Sequence, residues 1–314
     1  MEIAIPDDYQ GVVRQLACFS KLAGHTVTIY TDTVKDLDAL AARLAPAEVL
    51  VLIRERTVIS DALLARLPRL RMISQTGKGA AHIDLEACAR RGITVETGTG
   101  SPYAPAELTW ALLLAAARRI PREVAGLKAG GWQSTLGIGL RGRTLGIWGY
   151  GKIGQVVAGY GRAFGMTVLA WGRAGSLARA QADGFETAAS PEELLARSDA
   201  LSLHVKLTPD TRGLVTAAHL ALMKPEAILV NTSRAELIAP GALAAALKAG
   251  RPGFAAVDVY EDEPVLGAAH PLLALDNALC TPHLGYVERD SYALYFGQAF
   301  DNVLNWAAGA AQRS

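Results

Sequence analysis

The sequence predicts an α/β protein made of two doubly wound parallel sheets, and three observations carry that expectation. Short β-rich runs alternate with amphipathic helical runs along most of the chain, the pattern of parallel strands joined by helical crossovers. The 314 residues exceed the roughly 250–300 at which a single core stops growing, so two cores are expected. One apolar run, Thr144 to Trp148, leads into Gly149, Gly151 and Gly154 and then opens into a helical pattern.

In the first series the expected strands are 2–5, 26–30, 49–53, 72–74 and 93–95, with helical patterns over 12–22, 37–44, 61–67 and 85–90 between them. A longer helix over 104–119 accepts Pro105 in its first turn, is stopped by Pro121 and reads as a connector between domains. A loop containing Gly130 and Gly131 follows. The second series has strands at 144–148, 167–171, 200–205, 227–231, 254–257 and 278–281, with helices including 191–197 and 242–249. The last stretch, 288–307, places Leu294, Phe300, Val303 and Trp306 at helical spacing and is expected to return to the first domain. The division that results is 1–100 with 288–314 against 101–287.

The glycine spacing is G-x-G-x-x-G. A missing Cβ lets the chain turn tightly at Gly149 and lets a pyrophosphate come close at Gly151, while Gly154 lets helix and strand pack. The helix beginning near Lys152 aims unpaired N–H groups and its positive dipole end at the phosphates. Glycine-rich turns are common, but one placed between a strand and a helix points to a dinucleotide.

Charge and composition exclude several classes. A net charge of +1, with Lys and Arg scattered, offers no footprint for nucleic acid or a membrane surface. The densest apolar stretch, 110–117, is too short to cross a bilayer before Arg118 and Arg119. MEIAIPDDYQ lacks the basic and apolar regions of a signal peptide, so a cytoplasmic protein is expected. Cys18, Cys88 and Cys280 have no metal-ligand spacing and read as buried thiols; no metal is expected.

Three polar residues follow expected strand ends, where open parallel sheets bind ligands: Arg234 in NTSRAELI, Glu263 in DVYEDEP and His283 in TPHLGY. Individually they also read as a surface ion-pair partner, one acid of an acidic loop and a turn histidine. Together they suffice to reduce a 2-keto acid. An imidazolium gives its proton to the carbonyl oxygen as hydride reaches the carbon, and a neighbouring carboxylate favours the protonated ring and fixes its orientation. The planar fork of an arginine holds the substrate carboxylate.

These motifs, taken with the turn at 51–54, GYGKIG, LHVKLTPDTRG, MKPEAILVNTSRAELI and AAVDVYEDEP in that order, resemble the D-isomer-specific 2-hydroxyacid dehydrogenases over essentially the whole chain. The resemblance implies a Rossmann-type nucleotide domain over 101–287 and a flavodoxin-like substrate domain over 1–100 and 288–314, with the active site in the cleft. It implies that Arg234 binds the substrate carboxylate, that His283 donates the proton and that Glu263 is its partner. By the same resemblance Gly149, Gly151, Lys152, Ile153 and Gly154 hold the pyrophosphate. Thr232, Ser233, Asp258 and Gly285 line the nicotinamide side, and Val205, Lys206 and Thr208 border the cofactor. Substrate contacts come from Arg54 and the backbone around Lys78 and Gly79, besides Arg234 and His283.

Two departures fall on the substrate side. Ala81 stands where the family's G-x-G-x-D-x-I-D pattern has an acid, and Pro102 follows Gly100 and Ser101 where members carry Asn. The leading reading is reduction of a small 2-keto acid such as glyoxylate or hydroxypyruvate to its D-2-hydroxy acid. Phosphoglycerate oxidation, which Arg54 would suit, and a phosphite-type substrate, which Lys78 would suit, are the alternatives within the family. A non-enzymatic corepressor is the alternative from another class, and turnover by purified protein separates it from an enzyme.

The strand over 167–171 is followed by Gly172 and Arg173, with no acid to hold a ribose 2′-hydroxyl. Arg173 suits a 2′-phosphate, so NADP(H) is expected over NAD(H). The family resemblance, with the apolar surface around Trp110 and Trp132, implies a homodimer built on the nucleotide domain.

Overall fold

The structure, a computed structural model, describes residues 1–311; residues 312–314, the end of the expected first domain, lie outside the described residues. The chain divides into two compact units, one formed by Met1–Ser101 with the segment from Glu288 onward and the other by Pro102–Val287.

The first unit holds five parallel strands, β1 (Glu2–Ile5), β2 (Thr26–Ile29), β3 (Val49–Leu52), β4 (Met72–Gln75) and β5 (Thr94–Thr97), in the order β2-β1-β3-β4-β5. All four residues of β3 and of β4 are buried, as strands covered on both faces require. Helices α1 (Leu37–Leu44), α2 (Asp61–Leu64) and α3 (Leu85–Arg90) start at Asp36, Ser60 and Asp84, whose side chains accept the N–H of Ala39, Leu63 and Ala87. The helix expected over 12–22 is instead two 3-10 segments, Val13–Gln15 and Ala17–Leu22. The Asp8 carboxylate takes the amide N–H groups of Val12 and Val13, and Leu16 is extended, so no α-helical ladder builds there.

The second unit opens with α4 (Tyr103–Ala117) and α5 (Ile120–Lys128), followed by β6 (Thr144–Trp148), α6 (Lys152–Ala163), β7 (Thr167–Trp171), α7 (Ala174–Ala182), β8 (Glu186–Thr187), α8 (Pro191–Arg197), β9 (Ala200–Leu203), α9 (Ala217–Leu222), β10 (Ile228–Asn231), α10 (Ala242–Lys248), β11 (Phe254–Val257) and β12 (Ala278–Cys280). The seven strands are all parallel, in the order β12-β11-β10-β9-β6-β7-β8. The order of doubly wound dinucleotide folds lies within it, and the strand order reverses between β6 and β9, where such sheets bind their ligands.

Two readings of the helices need correction. Helix α4 is no bare connector: Ala106, Trp110, Leu113 and Ala117 are buried with Ile147, Val157 and Val230 in the core of the second unit, and Trp110 meets Phe164 edge-on at 4.9 Å. Pro121 stops nothing either. Arg119 takes a left-handed conformation (φ 56°) after α4, and Pro121 sits in the first turn of α5, where its missing N–H is no loss. The short edge strand β8 was not expected. Of the thiols, Cys88 is buried and Cys18 and Cys280 are half-buried.

The last helix, α11 (Arg289–Ala311), belongs to the first unit. Phe296, Phe300 and Val303 are buried, Ser74 Oγ donates to the Ala299 carbonyl at 2.9 Å, and Tyr292 OH donates to Gln10 Oε1 at 2.9 Å. No helix among the described residues is long and apolar enough to cross a membrane, and no group of His, Cys, Asp or Glu among them could hold a metal ion.

Candidate active site

The glycine loop follows β6. Gly149 N donates to the Trp171 carbonyl at 2.8 Å, and its φ of 102° is one that L side chains rarely adopt. A Cβ there would lie 2.6 Å from the His204 carbonyl oxygen. Gly154 is buried, and a Cβ there would run into the Gly149 carbonyl, so the close passage of α6 over the loop needs glycine. Gly151 differs. It is the N-cap of α6, no side chain caps the helix, and a Cβ at Gly151 would meet nothing within 4 Å. The first turn, with Lys152 and Ile153, is therefore an open cradle with a positive dipole end, and it fits the pyrophosphate of a dinucleotide.

Beyond the loop, Arg173 is the N-cap of α7 and is exposed. Two residues that the sequence reading missed join it. Arg179 Nη2 donates to the Tyr150 carbonyl of the glycine loop at 3.3 Å and to Ser176 Oγ at 3.2 Å. A Cβ at Gly172 would stand 3.6 Å from Ser176 Cβ and 3.8 Å from Gly149 Cα, an ordinary contact, so Gly172 leaves room beside these groups. Their spacing, three and six residues past Arg173, is the one signal that puts them near one face of a helix.

The loop after β9 and the loop after β10 are tied together, since Ser233 Oγ donates to the Val205 carbonyl at 2.8 Å. Asn231, buried at the end of β10, shapes the second loop: its Nδ2 donates to the Arg234 carbonyl at 2.9 Å and its Oδ1 accepts from Ser233 N at 3.1 Å. Arg234 Nη1 donates to the Ser233 carbonyl at 2.7 Å. Thr232 Oγ1 lies 2.6 Å from Thr109 Oγ1 on α4. In the first of these loops Thr208 N donates to Thr211 Oγ1 at 2.8 Å, and the Lys206 carbonyl accepts from Thr211 Oγ1 at 2.8 Å. Burial pushes the His204 imidazole down to about 4, and Ser202 Oγ lies 2.9 Å from its Nε2.

Asp258, just past β11, is fully buried and organises the segment after β12. It accepts from Thr281 Oγ1 at 2.6 Å, Leu284 N at 2.7 Å and Gly285 N at 2.9 Å. Burial pushes this carboxyl up, against three hydrogen bonds that favour its ionised form. His283, on this segment, adopts a left-handed φ of 52°. Its Nδ1 lies 2.7 Å from Glu263 Oε2, while Glu263 Oε1 accepts from Tyr260 N at 3.0 Å. Glu263 is thereby fixed at one oxygen and orients the imidazole with the other, leaving Nε2 as the atom for chemistry. Tyr260 OH also donates to the Thr281 carbonyl at 2.9 Å, a brace unseen in the sequence reading. Arg234, Glu263 and His283 thus follow the carboxyl ends of three adjacent strands, β10, β11 and β12.

In the first unit, Arg54 follows β3 in a left-handed conformation (φ 53°), and its N donates to Thr76 Oγ1 at 2.9 Å. Its guanidinium lies against Gly77 and 5.5 Å from the centre of the Tyr295 ring of α11. Glu55 lies against Gly79, where a Cβ would collide with its carboxylate, and Lys78 between the two glycines is exposed. Arg54, Lys78 and Gly79 therefore gather on neighbouring loops. Tyr295 escaped the sequence reading because it comes from the far end of the chain.

Residues 110–285 match the model of the D-isomer specific 2-hydroxyacid dehydrogenase NAD binding domain. A glyoxylate reductase from Aeropyrum pernix is 41% identical over 257 residues, which cover 79% of this chain and 76% of that protein. A D-3-phosphoglycerate dehydrogenase from Methanocaldococcus jannaschii is 41% identical over 251 residues, 79% of this chain; the match spans about half of that longer relative, 47%. The crystal structure of a phosphoglycerate oxidoreductase from Vibrio cholerae superposes with a TM-score of 0.96 at 54% identity, covering 98% of this chain and 99% of that one. With the family model spanning more than half of the chain, this protein belongs to the D-isomer-specific 2-hydroxyacid dehydrogenases, NAD-dependent oxidoreductases of the CH–OH group.

Proposed function

We propose that the protein reduces a small 2-keto acid, glyoxylate to glycolate or hydroxypyruvate to D-glycerate, using Arg234, Glu263 and His283. The observation that carries this reading is the Nδ1–Oε2 contact of 2.7 Å, which turns His283 Nε2 away from its carboxylate partner. A nicotinamide dinucleotide bound on the glycine loop supplies the hydride. His283 Nε2–H delivers the proton to the carbonyl oxygen, and Glu263 offsets the imidazolium charge before that transfer. Arg234, set by Asn231, grips the substrate carboxylate. Asp258 holds Gly285 and the His283 segment beside the nicotinamide side, where Thr232 and Ser233 also contribute.

The finer cofactor reading is NADP(H). Its support is the absence of an acid at Gly172, the exposed Arg173, and Arg179 lying with Ser176 against the glycine loop. We read 1–100 with 288–314 as the substrate domain and 101–287 as the dinucleotide domain. We further read the assembly as a homodimer through the dinucleotide domain, supported by exposed Ile120, Val124, Leu127, Trp132 and Leu136, and the working compartment as the cytoplasm.

Oxidation of 3-phosphoglycerate is the second reading, favoured by Arg54 with Lys78 in the first unit and by the names of the M. jannaschii and V. cholerae relatives. One panel decides between them: reduction of glyoxylate, hydroxypyruvate and pyruvate against oxidation of 3-phosphoglycerate, each with both cofactors. A kcat/KM highest for glyoxylate or hydroxypyruvate supports the first reading, and one highest for 3-phosphoglycerate replaces it with the second.

A further inference from the structure

Glu263 and His283 come from different segments, one after β11 and one after β12, and their 2.7 Å contact requires both backbones to be held. One residue reaches both. Tyr260, buried in the loop after β11, donates its backbone N–H to Glu263 Oε1 at 3.0 Å and its hydroxyl to the Thr281 carbonyl at 2.9 Å. That same carbonyl accepts from His283 N at 3.0 Å.

The bond from His283 N closes a three-residue turn over Pro282, and His283 leaves that turn with a left-handed φ of 52°. A residue with a Cβ holds such a backbone only against a cost, so the turn needs anchors outside itself. Asp258 supplies them at Thr281 Oγ1, Leu284 N and Gly285 N, and Tyr260 supplies the one at the Thr281 carbonyl. The contacts thus form a closed circuit, from Tyr260 N through Glu263 to His283 Nδ1, back along the chain to Thr281, and from its carbonyl to the Tyr260 hydroxyl. Burial, then the neighbouring Cys280, push that hydroxyl above its ordinary value, so it stays protonated and donates. The Tyr260 ring is itself fixed: His270 packs against it edge-on at 4.9 Å, and His270 Nε2 lies 3.0 Å from Glu261 Oε2.

We propose that Tyr260 is a positioning residue for the proton donor: its hydroxyl, by holding the Thr281 carbonyl, fixes the turn that carries His283 and so the direction in which Nε2 points. The proposal rests on the reading of His283 as the group that carries the proton, and Tyr260 acts through it. A displacement of about 1 Å in a reacting group can cost about 100-fold in rate. Loss of one anchor among several costs less, because Asp258 still holds the segment.

The test compares Tyr260→Phe, His283→Ala and the double variant with wild type, using the substrate of highest kcat/KM and following the slow variants as single turnovers of bound cofactor. Tyr260→Phe keeps the aromatic ring and the backbone N–H and loses only the hydroxyl. Its kcat should fall about three- to tenfold with KM and cofactor Kd within about twofold of wild type, and the same substitution made in His283→Ala should lower the residual rate no further. A Tyr260→Phe kcat equal to wild type overturns the proposal. So does an equal fall in both backgrounds, which would make the bond one of general stability, or a loss confined to cofactor Kd. Failure of the underlying reading looks different: His283→Ala then keeps the wild-type kcat, and the proposal falls with it.

Discussion

Glu263 divides its two oxygens between Tyr260 N and His283 Nδ1, which makes it a positioning group as well as a charge. Glu263→Gln keeps the shape and loses the charge that offsets the imidazolium. Glu263→Gln should therefore lower kcat for reduction by about tenfold or more while the cofactor Kd stays unchanged, and a variant as fast as wild type would refute the pairing. Cofactor choice is also a residue-scale matter. Arg173→Ala and Arg179→Ala should each weaken NADPH by roughly tenfold while sparing NADH, and Gly172→Asp should swing preference toward NADH. Space permits that last change, since the new Cβ makes only ordinary contacts. Parallel kcat/KM values with both cofactors check it, and a wild type that prefers NADH tenfold with both alanine variants unaffected would sink it. The glycine loop was legible in sequence because its demands are backbone demands, which spacing records. Arg179 was not, because its bond to Tyr150 exists only once α7 has folded back beside the loop.

Elements were read well where a run of residues has one environment throughout. The buried strands β3, β4, β9 and β10 are continuous apolar or nearly apolar runs and lie where the pattern puts them. The region 12–22 misled because apolar spacing says nothing about Asp8 capturing two amide N–H groups. Helix α4 misled in another way: it is apolar on all but the exposed stripe of Tyr103, Glu107 and Ala111, the mark of a helix buried over most of its surface, and its place between the two strand series invited the word connector. Pro121 shows the same ambiguity, since proline ends one helix or begins the next depending on a single left-handed residue, Arg119. At this scale the contact of α6 with β6 gives a sharp expectation. Gly154→Ala drives a Cβ into the Gly149 carbonyl, so it should destabilise the second unit by about 1–3 kcal/mol, a fall in Tm of several degrees, and weaken dinucleotide binding. Thermal unfolding with and without cofactor measures both, and a variant as stable and as tight as wild type would mean that α6 stands further off.

For the whole molecule, α5 and the loop after it expose Ile120, Val124, Leu127, Trp132 and Leu136, apolar area that an isolated chain would leave in water. Three bonds hold part of that loop in place, as Ser134 N, Ser134 Oγ and Thr135 Oγ1 all donate to the Glu123 carboxylate, which they hold down at about 2. A two-fold dimer through this surface is the expectation. Light scattering at micromolar concentration should give twice the chain mass, Leu127→Glu combined with Trp132→Glu should give monomer, and a monomeric wild type would contradict it. The substrate itself was the least legible property. Arg54, Lys78 and Gly79 belong to loops of the first unit, and spacing along the chain records which loops carry them but not the size of the molecule such loops would take.

The most direct test of the account is the turnover of His283→Ala with glyoxylate and hydroxypyruvate, measured beside its affinity for the reduced cofactor. Loss of a general acid should cut kcat by about 100- to 10,000-fold and leave the cofactor Kd unchanged, because the proton matters in the transition state and not to the dinucleotide. A variant that keeps more than half of the wild-type kcat, with a deuterium isotope effect showing hydride transfer to be rate-limiting, would remove His283 as the proton donor and the proposed mechanism with it.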